Sequence, residues 1–199
     1  VAASGILSEV KDGDELILDG ESGEIFVNPG SDLIAEYEKR RDAYLQEKEE
    51  LKQRCLDAID ANRDLIIQLG DDVYKTPELG YKEFKTTERM IKAFQEIGEE
   101  PETEIAYTGC KVSTPKKGNT RIAVIGELDC IQCKEHPDST PEGNVHACGH
   151  HAQLADLYGC AIGLLRSGVM KELGGAVDFI AIPAEECVDY DYRDSLIRE

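Results

Sequence analysis

The sequence predicts an α/β fold: a partial, mostly parallel sheet covered by helices and preceded by a β-hairpin and a long helix. Three observations carry this prediction. Two short apolar runs, residues 121–129 and 175–186, both end in acids and read as buried parallel strands. Between them, Leu154, Leu157, Tyr158, Ala161, Leu164 and Leu165 form a stripe at helical spacing within residues 151–167, suited to lie on that sheet. Ahead of both, residues 31–69 contain no Gly or Pro and are rich in Glu, Lys, Leu, Ala and Arg, which favours one or two long helices.

The first element is a hairpin, since residues 15–20 and 24–29 alternate apolar and polar around a Gly-containing turn. Ser31 follows as a helix N-cap. Ile34, Tyr37, Tyr44, Leu51, Cys55 and Ala58 fall near a heptad seam, but Arg41 and Lys48 interrupt it, so a solvated connecting helix is expected instead of a coiled coil. The helical pattern continues through Ile66, Leu69 and Val73 and turns at Pro77 and Gly80. Phe84, Thr87, Ile91 and Phe94 share the face of a further helix that Gly98 stops. The strand, helix, strand order of residues 121–186 implies a right-handed crossover. It places residues 144–151, Asp129, Glu185 and Glu186 together beyond the carboxyl ends of the strands, where open α/β sheets bind ligands.

Residues 144–151, Asn-Val-His-Ala-Cys-Gly-His-His, hold three of the four histidines and read as a metal site. In an extended backbone His146, Cys148 and His150, spaced i, i+2, i+4, point to one side and His151 to the other. Imidazole with thiolate suits zinc or a similar late transition metal. The adjacent Glu185 and Glu186 face different ways in an extended segment, so one can ligate while the other handles a water. A divalent ion lowers the pKa of its water from about 15.7 toward about 7, and a carboxylate nearby can then take the proton. Cys130 and Cys133 form the one CxxC, read as two thiols lining a loop ahead of a redox pair or further metal site.

These residues resemble a known family, the zinc amidohydrolases and metallopeptidases of peptidase family M20, amidohydrolase branch. Pro77-Glu-Leu-Gly-Tyr-Lys-Glu83 with Thr86 and Thr87 is similar to its "PELGxxE…T" block, and residues 126–129 to its first acidic strand end. Residues 146–150 are similar to its "HxCGH" loop, and residues 183–186 to its paired-glutamate motif. For residues 51–199 the resemblance implies the N-terminal part of a metal-dependent catalytic domain. It implies Cys148, His150 and Glu186 as metal ligands with His146 as a further candidate, Glu185 as general base and Asp129 as a catalytic-site residue that supports or orients the site. The implied cofactor is a divalent metal, zinc first, with manganese or cobalt as alternatives. The implied substrate is a small amide such as an N-acyl amino acid, and the longer protein would be a homodimer. His151 replaces the Asp common there, and Lys75-Thr76 the His often found before Pro77. Further ligand histidines of the family follow the position matched by Glu186, where this sequence has none, so a fragment with an unpaired sheet edge is expected. Residues 1–50 resemble instead the tail of the swivelling domain of phosphoenolpyruvate-dependent phosphotransferase enzyme I, without its phosphotransfer histidine, since no histidine precedes His136.

Composition excludes other classes. A formal charge of −19 disfavours nucleic acid and anionic membranes, and no segment is apolar and long enough to span a bilayer. Seven cysteines without a signal sequence fit a reducing cytoplasm. With 199 residues and 41% hydrophobic content, one substantial domain, residues 51–199, and a small one, residues 1–50, are expected.

Overall fold

The computed structural model describes residues 5–186 and 190–198, and it divides into two compact units, Val1–Lys52 and Gln53–Glu199. In the first unit a short helix α1 (Ile6–Glu9) precedes strands β1 (Leu16–Leu18) and β2 (Ile25–Val27), which pair antiparallel as Leu16 with Val27 and Leu18 with Ile25. The turn between them is built by Asp19, whose carboxylate accepts the Glu21 and Ser22 amides at 2.9 and 3.2 Å and the Tyr37 hydroxyl at 2.9 Å. Those donors hold the Asp19 carboxyl down at about 2.

Helix α2 (Ser31–Ala61) opens one residue earlier than a Ser31 cap requires, with Gly30 accepting the first amides and Ser31 already helical. It contains no buried residue, as a broken heptad with Arg41 and Lys48 at the seam should. Asn62 then separates α2 from α3 (Arg63–Tyr74).

The second unit has a four-stranded sheet in the order β3 (Glu102–Ile105), β4 (Gly109–Ser113), β8 (Ala176–Ile182), β5 (Arg121–Glu127). The α/β class holds, with helices on a central sheet, but the sheet is mixed: β5 and β8 are parallel, while β3–β4 and β4–β8 are antiparallel. The short β3–β4 hairpin, which carries no strong apolar alternation, supplies the antiparallel half. Helix α5 (His150–Ala161) crosses between β5 and β8 and buries Leu154, Leu157, Tyr158 and Ala161 against them. Past Ala161 the chain forms a π-helical turn, Ile162–Arg166, and a single 3₁₀ turn, Val169–Lys171. The wider π turn rotates the stripe, so Leu164 and Leu165 pack only at the border of the core.

Helix α4 (Phe84–Glu96) buries Thr86, Thr87, Met90, Ala93 and Phe94. The expected face is rotated at its start, because Phe84 lies at the surface in edge-on contact with Tyr107. Gly98, at φ 88°, ends α4 as expected: its amide bonds Gln95 O at 2.9 Å and the Glu99 amide reaches back to Phe94 O at 3.1 Å.

Strand β5 departs from the expectation of a strand buried on both faces, for Ile122 and Ile125 are 57% and 53% exposed. Helix α5 packs on it, and among the described residues its outer edge has no strand partner. Beyond β5, two-residue strands β6 (Ile131–Gln132) and β7 (Asn144–Val145) pair antiparallel, drawing residues 146–150 back beside residues 127–130. Helix α6 (Tyr190–Arg198) closes the described chain.

Candidate metal centre

Two strand ends and one helix start meet here. β5 ends at Glu127 and runs into Leu128 and Asp129; β8 runs through Pro183 and Ala184 to Glu185 and Glu186; α5 begins at His150. The β6–β7 pairing, rather than an extended run through residues 146–150, brings the His/Cys segment to the acids. Strand β7 stops at Val145, Gly149 takes a left-handed φ of 91° that suits a residue without Cβ, and His150 is already helical. The i, i+2, i+4 alternation of His146, Cys148 and His150 is therefore not realised.

His150 is the hub, buried at 3% exposure. Its Nδ1 lies 2.8 Å from the Asp129 carbonyl oxygen and 3.3 Å from Asp129 Oδ1, so the ring proton belongs on Nδ1 and donates to Asp129. Nε2 faces three carboxylates: Glu127 Oε2 at 3.0 Å, Glu185 Oε2 at 3.8 Å and Glu186 Oε1 at 3.9 Å. Glu127, His150 and Glu185 each offer a donor atom within 4.8 Å of the other two. Gln153, one turn into α5, donates to Glu127 Oε2 at 2.9 Å and fixes that carboxylate.

Asp129 is fully buried, and its Oδ2 accepts the Glu186 amide at 2.9 Å while Oδ1 has no hydrogen bond. Burial pushes its carboxyl up, against the Glu186 amide and His150, which pull it down. Cys148 is exposed, and a hydrogen bond to the Glu186 carboxylate, with desolvation second, raises its thiol to about 11. Cys148 thus hydrogen-bonds the Glu186 carboxylate, which lies 3.9 Å from His150 Nε2, while the donor atoms that all lie within 4.8 Å of one another are those of Glu127, His150 and Glu185. His146 is 3% exposed, neither ring nitrogen has a hydrogen bond, and its ring lies 5.8 Å from that of His151, which packs on Tyr74 at 4.8 Å. Burial depresses the His146 pKa to about 4.

Glu127 is the residue that reading by motif overlooked. Its signal was present, since Glu127 and Asp129 stand two apart at a strand end and an extended chain sends both to the same side. Cys130, buried and raised to about 12 by desolvation, and Cys133 are free thiols, and Cys187 lies outside the described residues.

The donors suit a metal on their own chemistry. Three carboxylates crowd His150 Nε2, and the buried Asp129 Oδ1 has no hydrogen bond, so a divalent cation among the carboxylates would offset their mutual repulsion.

No family model matches the chain. Thermostable carboxypeptidase 1 of Saccharolobus solfataricus is 33% identical over 132 residues, 62% of this chain and 32% of its own length. N-acetyldiaminopimelate deacetylase of a Geobacillus species is 33% identical over 128 residues, 60% of this chain and 32% of that protein. A p-aminobenzoyl-glutamate hydrolase polypeptide of Escherichia coli is 28% identical over 145 residues, 65% and 29% of the two chains. The chain therefore spans about a third of the length of these curated relatives. Among solved structures, the YXEP protein of Bacillus subtilis, a dinuclear metal-binding peptidase from the M20 family, is 28% identical with a TM-score of 0.55 over 64% of this chain and 37% of its own. An aminohydrolase structure from methicillin-resistant Staphylococcus aureus shares the fold at TM-score 0.59, 24% identity, 69% of this chain and 38% of that one. The comparisons lend no support to the enzyme I resemblance of residues 1–50. The part of the chain they cover is thus similar to hydrolases and peptidases, one of the solved neighbours being a peptidase of the M20 family.

Proposed function

We propose that this chain carries part of the centre of a metal-dependent hydrolase that cleaves the amide bond of an N-acyl amino acid or small peptide-like substrate. The convergence of the Glu127, Glu185 and Glu186 carboxylates on His150 Nε2, within 3.0–3.9 Å, carries this reading. The carboxypeptidase, deacylase and hydrolase names of the relatives support the amide class. A donor set of imidazole nitrogen, carboxylate oxygen and the Cys148 sulfur favours zinc, with manganese or cobalt next. When bound, such an ion lowers the pKa of its water to about 7 and polarises the substrate carbonyl.

The chain's own residues divide the remaining work. His150 keeps Nε2 available by committing Nδ1–H to Asp129. Glu186, tied through its amide to Asp129 and through its side chain to Cys148, is the more constrained glutamate and serves as ligand. Glu185, with a side chain 47% exposed against 28% for Glu186, reaches solvent and acts as general base, returning the proton to the leaving amine. The free thiols support a reducing, cytoplasmic setting.

Calorimetric titration with zinc alone tests the centre. His150→Ala is expected to abolish binding, while Glu185→Gln leaves it nearly unchanged. Zinc retained by the His150 variant would refute the centre, and zinc lost from the Glu185 variant would exchange the roles of the two glutamates.

A further inference from the structure

Glu83 is a carboxylate with 0% exposure, on a loop rather than in the metal centre, and no step above uses it. Its Oε2 accepts the Thr108 hydroxyl at 2.6 Å and its Oε1 accepts the Ala184 amide at 2.8 Å. Thr108 is itself buried, and its carbonyl is held by the Thr87 hydroxyl at 2.7 Å, so the carboxylate is anchored from α4 and from the loop before β4. The Glu83 and Tyr81 amides also point at it. Burial raises its pKa and these donors lower it, the mark of a group kept inside by what it binds.

Ala184 is the residue that needs holding. It has φ 56°, in the left-handed region that a residue with Cβ disfavours, and it immediately precedes Glu185 and Glu186. The turn is clamped on three sides. Glu83 holds the Ala184 amide, Asp129 Oδ2 holds the Glu186 amide at 2.9 Å, and Gly80 forms a wall so close that a Cβ there would lie 2.9 Å from Ala184 Cβ. The same Pro77–Glu83 segment reaches the other strand end, where the Cys130 amide donates to Glu78 O at 2.9 Å.

We propose that Glu83 is a positioning residue: its carboxylate holds Ala184 in the left-handed turn that delivers Glu185 and Glu186 to His150. The inference rests on the metal-centre reading above and adds a buried support to it. Removing the acceptor leaves the Ala184 amide unpaired and lets the turn relax to an ordinary φ, which re-aims both glutamates.

Zinc affinity, measured by calorimetry on the folded chain, is the readout. Glu83→Ala is expected to weaken zinc binding roughly tenfold to a hundredfold, the usual effect of losing a partner that orients metal ligands. Glu83→Gln keeps an oxygen for the Ala184 amide, and Thr108 can reverse its hydroxyl, so most of the affinity should return. In a Glu185→Ala, Glu186→Ala background, Glu83→Ala should bring no further loss, because the groups it positions are gone. A merely structural Glu83 would give the same loss in both backgrounds, and that result, or unchanged affinity in a folded Glu83→Ala, overturns the proposal. Should Glu83→Ala not fold, Ala184→Val disfavours the left-handed turn with Glu83 intact and is expected to weaken zinc binding likewise; unchanged affinity there overturns the proposal too. His150→Ala and Cys148→Ser separate the two failures. If both lose zinc while the Glu83 and Ala184 variants do not, positioning alone is wrong; if neither loses zinc, the centre itself is wrong and the positioning proposal falls with it.

Discussion

At the residue scale, chemistry here is set by which atoms are forced to share a small volume. Cys148 illustrates this: an exposed thiol raised to about 11 by the Glu186 carboxylate is a poor nucleophile at neutral pH until a cation compensates that charge. Zinc bound to the sulfur is therefore expected to change the rate at which iodoacetamide labels Cys148 while leaving that of Cys160 unchanged, as mass spectrometry would report. Equal labelling of Cys148 with and without zinc would remove it from the ligand set. Gly80→Ala tests the wall behind the turn. A Cβ 2.9 Å from Ala184 Cβ and 3.0 Å from its Cα must displace the backbone, so a loss of about 1–3 kcal/mol in denaturant unfolding is expected, accompanied by weaker zinc binding. In the first unit, Asp19 titrates at about 2 against an ordinary 3.8, the Glu21 amide being the largest cause and the Tyr37 hydroxyl the next. Because the folded pKa is the lower one, its contribution to stability is present above about pH 4 and is lost as pH falls toward 2. Tyr37→Phe should move the Asp19 titration upward in carboxyl NMR, and an unmoved midpoint would mean that the hydroxyl contributes nothing.

At the element scale, local signals worked where one short segment determined its own end. Gly98 stops α4 through two backbone bonds that need a left-handed residue, so Gly98→Ala should cost roughly 1 kcal/mol in thermal or chemical unfolding. Phe94, fully buried on the same helix, is expected to cost about 3–5 kcal/mol when replaced by Ala. A smaller loss for Phe94 than for Gly98 would mean that α4 is not part of the core. Local signals misled where a partner decided the outcome. Apolar content read β5 as buried on both faces, yet burial depends on what lies across the sheet, and with α5 packed on it Ile122 and Ile125 still stay exposed. The face of α4 was legible in part: Thr87 and Phe94 are buried as expected and Ile91 half-buried, Thr86, Met90 and Ala93 join the buried face, and Phe84 lies at the surface against Tyr107, a neighbour 23 positions away that periodicity cannot register.

At the scale of the whole molecule, the boundary after Lys52 falls within α2, between a hairpin unit whose sequence holds no histidine or cysteine and the unit that holds the centre. Cys55, Ala58 and Ile59 on the second side of that boundary belong to the larger unit, where Gly163 fits beneath Ile59 and Ala58 packs on the core. Residues 53–199 should therefore keep their thermal midpoint and zinc affinity when residues 1–52 are removed. A joint loss of both would show that the chain folds as one cooperative body.

Sequence alone determined the α/β class, the helix-forming stretch after Ser31 and the stop at Gly98, and it named Cys148, His150, Glu186 and His146 as candidate donors with Glu185 as candidate base. These follow from short-range rules: periodicity, capping, and residue types that have few other uses in such density. Tertiary structure decided which donors meet. It put Glu127 against His150, brought the His146 and His151 rings to 5.8 Å from each other, and placed Glu83, remote in sequence, against the Ala184 amide. The reason is physical: a ligand sphere is defined by distances of a few ångströms between strand ends, and those distances are fixed by the β6–β7 pairing, the β5–β8 register and one buried carboxylate, none of which a local pattern encodes.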